Sequence, residues 1–217
     1  MQVIPAINEA DFVGIAEKVK KAEEFLPEDG WVEIDVADGI FTETAGFNNP
    51  AEFMRLRTRL NVALHLMVQD VDVVLTDWLN ALARVTTAKK RVIVHVEVMR
   101  DPAFILEECK KRGIEAGLSL APGTAPDAVL IYAGQFSLIQ VLAVKPGPSG
   151  QKFRSEMIQR IKFLRDKLPD AILEVDGGIN LETAQSVKEA GASIVAATSY
   201  IFGSPSPEDA YKELEKI

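Results

Sequence analysis

The sequence has one cysteine and no long apolar run, and each of these absences excludes a class of protein. Cys109 is the single cysteine among 217 residues, so no disulfide forms within the chain. No stretch approaches 18 consecutive apolar residues, and the opening MQVIPAINEADF lacks a basic region followed by an apolar segment. We therefore expect no transmembrane helix and no secretory signal, and the reducing cytoplasm is the expected compartment.

Positive charge is also scarce. The chain has 24 Lys and Arg residues against 32 Asp and Glu residues, for a formal net charge of -8. Its densest basic positions are the lysine pairs at 89–90 and 110–111. This balance argues against a nucleic-acid or membrane-surface partner. An anionic small molecule would have to be held by local backbone dipoles instead.

Short β-rich segments alternate with amphipathic segments along the whole chain. The predicted strands are 2–7, 31–36, 61–68, 91–98, 115–120, 137–144, 171–176 and 192–198. The predicted helices are 11–25, 50–59, 71–86, 102–113, 125–134, 152–168, 181–190 and 206–217. Eight strand-helix units without a flexible linker predict an α/β protein of one domain, a (β/α)8 TIM barrel over residues 1–217.

The second predicted strand, in WVEIDVADGIF, carries acidic residues where an apolar strand has none. Glu33 and Asp35 point to the same face, because strand side chains alternate with a period of two. Asp38, before Gly39, is typical of a turn. An unpaired buried charge costs several kcal/mol, so either this face is exposed to solvent or a cation lies opposite Glu33 and Asp35.

Other polar residues fall where predicted strands end, and in a barrel these ends share one rim. They include His65, His95 with Glu97, and Asp176. A lone strand histidine is ordinarily a hydrogen-bonded core residue, but two histidines converging with several carboxylates favour a site. The predicted ligands of a divalent cation are Glu33, Asp35, His65 and Asp176, and mixed nitrogen and oxygen ligands suit Zn, Mn or Fe.

Two questions stay open on these residues alone. The acids could instead pair with lysines of nearby loops, such as Lys145. His95 and Glu97 could support the site from behind or form a buried ion pair, and neither receives a catalytic role.

Several motifs together resemble one known family. IPAINEADF, VEIDVADGIF, LHLMV, VHVE, VKPGPSGQKF and EVDGGIN follow, in order, the motifs of the ribulose-phosphate 3-epimerases. The resemblance covers essentially the whole chain. It implies a TIM barrel with a bound divalent metal that interconverts D-ribulose 5-phosphate and D-xylulose 5-phosphate, and commonly a homo-oligomer.

The resemblance also implies roles for individual residues. Asp35 and Asp176 correspond to the acid/base pair, which moves a proton at C3 through an enediolate, and they are also metal ligands together with His65. The residues that correspond to substrate and phosphate contacts are Met67, Gly147, Ser149, Gly150, Gln151, Gly177, Gly178, Thr198 and Ser199.

Some positions depart from the family pattern. Glu33 replaces a histidine ligand, which adds a negative charge and favours Mn or Fe as a hypothesis. Ala6 replaces a serine, Ala37 and Leu142 replace methionines, and the GFGGQ loop reads GPSGQ at 147–151. These changes keep two alternatives open: an epimerase of another ketose phosphate, such as a hexulose 6-phosphate, and a non-catalytic barrel that binds a sugar phosphate.

Overall fold

Eight parallel strands close into a barrel within the computed structural model, which describes residues 1–86 and 89–217. Each strand pairs with the next along the chain, and the first pairs with the eighth. The strands are β1 Gln2–Ile7, β2 Trp31–Ala37, β3 Asn61–Met67, β4 Lys90–His95, β5 Glu115–Leu120, β6 Leu138–Leu142, β7 Leu173–Asp176 and β8 Ile194–Ala197. The predicted single-domain TIM barrel is confirmed.

Helices follow the strands and cover the outside of the barrel. The α-helices are α1 Phe12–Glu23, α2 Pro50–Phe53, α3 Val71–Arg84, α4 Pro102–Arg112, α5 Met157–Lys167, α6 Leu181–Glu189, α7 Ser199–Phe202 and α8 Pro207–Glu215. A 3₁₀ helix, Pro126–Tyr132, follows β5. None of the helices in these described ranges has the length and apolar character needed to cross a bilayer.

Three helix predictions differ most from the structure. The helix predicted at 50–59 ends at Phe53, and beyond its end the Arg57 guanidinium binds the carbonyls of Met54 and Leu56. The segment predicted at 125–134 forms the 3₁₀ helix. The helix predicted from 152 begins at Met157, since the preceding residues run beside β6, where Arg154 N donates to Ala143 O.

One predicted helix boundary is fixed by a reciprocal cap. The Asn180 side chain accepts from Thr183 N at 3.0 Å, and the Thr183 hydroxyl accepts from Asn180 N at 2.8 Å. This capping box satisfies two backbone donors at the start of α6. It also fixes the chain just after the glycines that follow β7.

The barrel has an apolar base and a polar mouth. Outside the barrel, the strands and helices share one large hydrophobic core. Inside, a separate apolar layer fills the end where the strands begin; it consists of Ile4, Trp31, Ala63, Ile93, Leu138 and Ile194. Strand register then places Asp35 beside His65 and Leu142 beside Asp176 at the opposite end. The four predicted metal ligands therefore lie on the mouth side of this apolar layer.

The turn after β7 depends on a glycine that has no room for a side chain. Gly178 has φ +68°, and a Cβ there would lie 2.3 Å from Phe153 N and 2.6 Å from Phe153 Cα. Gly113, at the end of α4, has a similar φ of +63° but nothing within 4 Å of an added Cβ. A side chain at position 113 would therefore meet backbone strain alone, whereas one at position 178 would meet both backbone strain and steric overlap.

We expect Gly178→Ala to lower the free energy of unfolding by clearly more than Gly113→Ala, for which strain alone costs about 1 kcal/mol. Urea unfolding of both variants measures this difference. Equal losses would contradict the close approach of Phe153 to the turn.

Candidate metal and substrate site

Four buried side chains at the mouth of the barrel bring their ligand atoms together. Glu33 and Asp35 come from β2, His65 from β3 and Asp176 from β7, and one potential ligand atom of each lies within 4.8 Å of the others. His65 Nδ1 lies 3.0 Å from Asp35 Oδ1, 3.8 Å from Asp176 Oδ2 and 4.0 Å from Glu33 Oε1. The structure thus brings all four predicted ligands together around one imidazole nitrogen.

The negative charges of the buried carboxylates repel one another. Burial, with the charges of Glu174, Asp176 and Asp35, raises the pKa of Glu33 well above its usual value. Burial and the charge of Asp35 raise the pKa of Asp176 to about 8. Burial alone would lower the pKa of His65, but the hydrogen bond and charge of Asp35 outweigh it and raise it.

The donor set fits a divalent cation. One imidazole nitrogen and three carboxylates offer the mixed ligands that Zn, Mn and Fe accept. The alternative of pairing with loop lysines is not what the structure shows, because Lys145 pairs with Glu43. In the described part of the chain, the ion pairs of Glu33, Asp35 and Asp176 are all with His65. A positive charge is therefore the missing complement of this cluster.

A pocket opens directly beside the cluster. Asp35 and Asp176 both line it. So do all nine residues predicted to contact substrate or phosphate, namely Met67, Gly147, Ser149, Gly150, Gln151, Gly177, Gly178, Thr198 and Ser199. Glu33 and His65 do not line the pocket and lie behind Asp35. Asp35 and Asp176 are thus exposed to a ligand from which Glu33 and His65 are shielded.

The loop after β6 forms one wall of this pocket. Gly147 and Gly150 have φ values of +135° and +84°, which side chains rarely tolerate. Gln151 Nε2 donates to the carbonyls of Lys145 at 2.8 Å and Pro148 at 2.9 Å. The amide of Gln151 therefore stabilises the loop, and its contact with a ligand is limited to its remaining oxygen.

Asn8 is a pocket residue that the sequence analysis missed. Its Nδ2 donates to Asp35 Oδ2 at 2.9 Å and to the Gly147 carbonyl at 3.1 Å. It connects the carboxylate of Asp35 with the glycine-rich loop. The sequence contains the signal, because Asn8 directly follows the buried strand QVIPAI and is therefore a polar residue at a strand end.

A second missed group lies beneath the cluster, inside the barrel. Gln140 Nε2 donates to Glu33 Oε1 at 3.1 Å and to Glu174 Oε1 at 2.8 Å, and all three side chains are fully buried. Among residues 1–86 and 89–217, Gln140 Oε1 and Glu174 Oε2 find no hydrogen-bond partner. Glu33 therefore faces both the cluster above it and this amide below it. Polar residues at inward positions of β6 and β7 were the available signal.

The structure also gives the surroundings of four further residues that the sequence left without a role. Asp38 forms a turn, since its carboxylate accepts from the backbone of Ile40, Phe41 and Gln69. His95 Nε2 lies 2.9 Å from His65 Nε2, and His95 Nδ1 lies 3.1 Å from Glu97 Oε2. His95 and Glu97 therefore stand behind His65, outside the pocket. Cys109 is buried, and burial raises its thiol pKa to about 12, so it is unreactive.

The raised pKa of Asp176 predicts how stability depends on pH in the metal-free protein. A carboxyl whose pKa is higher in the folded chain stabilises the fold fully below its unfolded pKa, and this contribution is lost as the pH rises towards the folded pKa. For Asp176 that interval runs from 3.8 to about 8. Relative to Asp176→Asn, which stays neutral, the parent protein should lose on the order of a few kcal/mol across it.

Urea unfolding of both proteins with a chelator present, from pH 4 to pH 8.5, measures this difference. Glu107→Gln, at an exposed carboxylate on α4, is the control and should follow the parent protein at every pH. A constant difference between the parent and Asp176→Asn would contradict the raised pKa.

Comparison with solved structures supports the fold. A crystal structure of 3-hexulose-6-phosphate synthase aligns with a TM-score of 0.70 at 15% identity, covering 100% of this chain and 99% of that one. Orotidine 5'-phosphate decarboxylase from Pyrococcus horikoshii OT3 aligns with a TM-score of 0.66 at 15% identity, covering 98% and 97%. At such identities the likeness concerns the barrel alone.

Comparison with known sequences is more specific. The ribulose-phosphate 3 epimerase family model matches residues 2–202. The cytoplasmic isoform of ribulose-phosphate 3-epimerase from Oryza sativa subsp. japonica is 30% identical, covering 99% of this chain and 93% of that protein. The ribulose-phosphate 3-epimerase of Methanocaldococcus jannaschii is 32% identical, covering 97% and 88%. This chain therefore belongs to the ribulose-phosphate 3-epimerase family.

Proposed function

We propose that the protein is a divalent-metal-dependent epimerase that interconverts D-ribulose 5-phosphate and D-xylulose 5-phosphate. The observation that carries this proposal is the pair formed by Asp35 and Asp176. They extend from β2 and β7, line the same pocket, and have oxygens within 4.8 Å of each other. Two carboxylates so placed can reach one carbon of a ligand bound between them.

Epimerisation beside a ketone needs two such groups. One must remove the C3 proton from one face, and the other must return a proton to the opposite face, which leaves an enediolate between the two steps. Asp35 and Asp176 line the pocket together, so one can act as the base while the other acts as the acid, and the roles exchange in the reverse direction.

Glu33, Asp35, His65 and Asp176 would hold the divalent cation, Zn, Mn or Fe. When bound, such an ion supplies Lewis acidity toward the charge that develops on the substrate oxygens. Glu33 in place of a neutral ligand makes the donor set more anionic, which favours Mn or Fe. Elemental analysis of protein purified without chelator distinguishes the three.

The phosphate of the substrate would bind against the turns that line the pocket. Gly147, Ser149, Gly150, the Gly177–Gly178 turn, Thr198 and Ser199 offer backbone N–H groups and hydroxyls there. Lys145 also lines the pocket and contributes a positive charge, although it is paired with Glu43.

A hexulose 6-phosphate is the second candidate substrate. Leu142, which stands where the family has a methionine, lines the pocket and changes its shape beside Asp176. Assay of both ketose phosphates with the purified protein decides between them. Cytoplasmic location, which the name of the rice relative supports, and homo-oligomeric assembly are further parts of this proposal, and light scattering of the purified protein tests the assembly.

Removing either acid should stop proton exchange. We expect Asp35→Asn and Asp176→Asn each to lower solvent deuterium uptake at C3 by at least about 100-fold, the lower range for general acid–base catalysis. Uptake is measured by NMR on a panel of phosphorylated ketoses. Glu107→Gln is the control and should keep parental rates. Parental exchange in either aspartate variant would refute the two-carboxylate mechanism, and the absence of exchange on every ketose in the parent protein would favour a non-catalytic barrel.

We expect Asn8 to affect the reaction rate by orienting the carboxylate of Asp35. Asn8→Ala removes a hydrogen bond to a charged group, so we expect kcat to fall by about 10-fold or more. Steady-state kinetics measure this effect, and Glu9→Gln, at the neighbouring side chain that pairs with Lys18, is the control. An unchanged kcat in Asn8→Ala would show that Asp35 is oriented without Asn8.

A further inference from the structure

A single line of hydrogen-bonded groups runs from the cluster to the outer rim of the barrel. His65 Nε2 faces His95 Nε2 at 2.9 Å, and His95 Nδ1 faces Glu97 Oε2 at 3.1 Å. At the outer end, Glu97 Oε1 accepts from Ala121 N at 2.7 Å and from the Thr124 hydroxyl. None of His95, Glu97, Ala121 and Thr124 lines the pocket.

The imidazole rings of His65 and His95 meet edge to edge. Their planes differ by 24°, and their centroids are 5.0 Å apart, far more than the 2.9 Å between the facing nitrogens. Both rings are fully buried, and the Phe41 ring packs on His95 with centroids 4.6 Å apart. Water is thereby kept from the facing nitrogens, so exactly one of them must carry the shared proton.

The backbone N–H of Ala121 determines which atoms along this line donate hydrogen bonds and which accept them. An N–H group can only donate, so Glu97 accepts at Oε1. Burial would raise the pKa of Glu97, but its hydrogen bonds, first that from His95, lower it to about 2. The ionised carboxylate also accepts at Oε2, so the His95 proton is on Nδ1. A neutral His95 ring with its proton on Nδ1 has a lone pair on Nε2, so this atom accepts a hydrogen bond.

His65 must then donate through Nε2, because two lone pairs do not face each other at 2.9 Å. Its other nitrogen, Nδ1, points at the cluster and is hydrogen-bonded to Asp35 Oδ1 at 3.0 Å. When the Nδ1 proton leaves, the neutral ring keeps its proton on Nε2 and presents a lone pair at Nδ1, which is what a metal ligand requires.

We propose that His95 and Glu97 are positioning residues that hold a proton on His65 Nε2. Nδ1 of His65, which is hydrogen-bonded to Asp35 in the metal-free protein, is then the nitrogen that releases its proton and offers a lone pair when a metal binds. The proposal rests on the metal site described under the proposed function. It adds a reason for the two residues to be present, since neither touches the pocket. Glu97 acts at a distance from the cluster and through two rings.

Nuclear magnetic resonance tests the proton positions directly, because His65 and His95 are the only histidines in the chain. Long-range ¹H–¹⁵N spectra of the Zn²⁺-loaded and metal-free protein should show His95 protonated on Nδ1 alone and His65 protonated on Nε2. Assignment uses a His95→Gln sample. A His95 proton on Nε2 in the parent protein would overturn the proposal.

Glu97→Gln reverses the donor and acceptor roles along this line of hydrogen bonds without changing the shape of the side chain at position 97. Ala121 N–H fixes the amide oxygen at its own end, so the amide NH₂ group faces His95 Nδ1 and donates to it. His95 must then donate through Nε2, so His65 accepts at Nε2 and holds its one proton on Nδ1, where it donates to Asp35 and blocks the metal. The metal-free variant keeps every hydrogen bond and should fold normally.

We expect Glu97→Gln to bind Zn²⁺ about 10 to 100-fold more weakly than the parent, by competition with a chromophoric chelator. Thr124→Val is the matched control; it removes the hydroxyl contact of Glu97 but leaves the direction of the line, so its affinity should stay within about 3-fold. Parental affinity in Glu97→Gln, or an equal loss in Thr124→Val, would overturn the proposal. If the parent protein itself fails to bind Zn²⁺, Mn²⁺ or Fe²⁺, the proposed function fails, while the spectra still test the proton positions.

Discussion

The mutual repulsion of buried carboxylates around His65 is the constraint on which the rest of the site depends. Glu33, Asp35 and Asp176 are all less than a tenth exposed, and a fourth acid, Glu174, lies directly beneath them. The fold can hold so many acids only by adding positive charge, by keeping protons on some of them, or by surrounding them with donors. The structure uses donors at each open side: Asn8, Gln140 and His65.

This constraint links the architecture to the chemistry. Parallel strands deliver their last inward-facing side chains to one rim, so acids from β2 and β7 meet although 141 positions separate residues 35 and 176 in the sequence. An apolar layer seals the base of the barrel below them. The acids therefore have low solvent access from below and a pocket above. That asymmetry is what raises the pKa of Asp176 and directs a ligand toward it.

Much of this arrangement could be predicted from the sequence. Strand periodicity gave Glu33 and Asp35 a common face, and strand ends located His65 and Asp176. The predictions that failed concern contacts between segments that are distant in the sequence. Nothing local in the sequence indicates that Arg57 would bind the carbonyls beyond the end of α2, or that Asn8 would join Asp35 to a loop 139 residues away. The strand-end rule also cannot say how deep a residue lies, and so it missed the contact between Glu33 and Gln140.

We propose that a cation and the reacting carbon share the space between Asp35 and Asp176. The most direct measurement is a crystal structure of the Mn²⁺-loaded protein with a bound pentulose phosphate, using anomalous scattering to locate the metal. The account predicts one anomalous peak beside His65 Nδ1, with C3 of the sugar between the two aspartates and the phosphate against residues 147–151. An anomalous peak elsewhere, or a sugar bound with C3 remote from either aspartate, would contradict it.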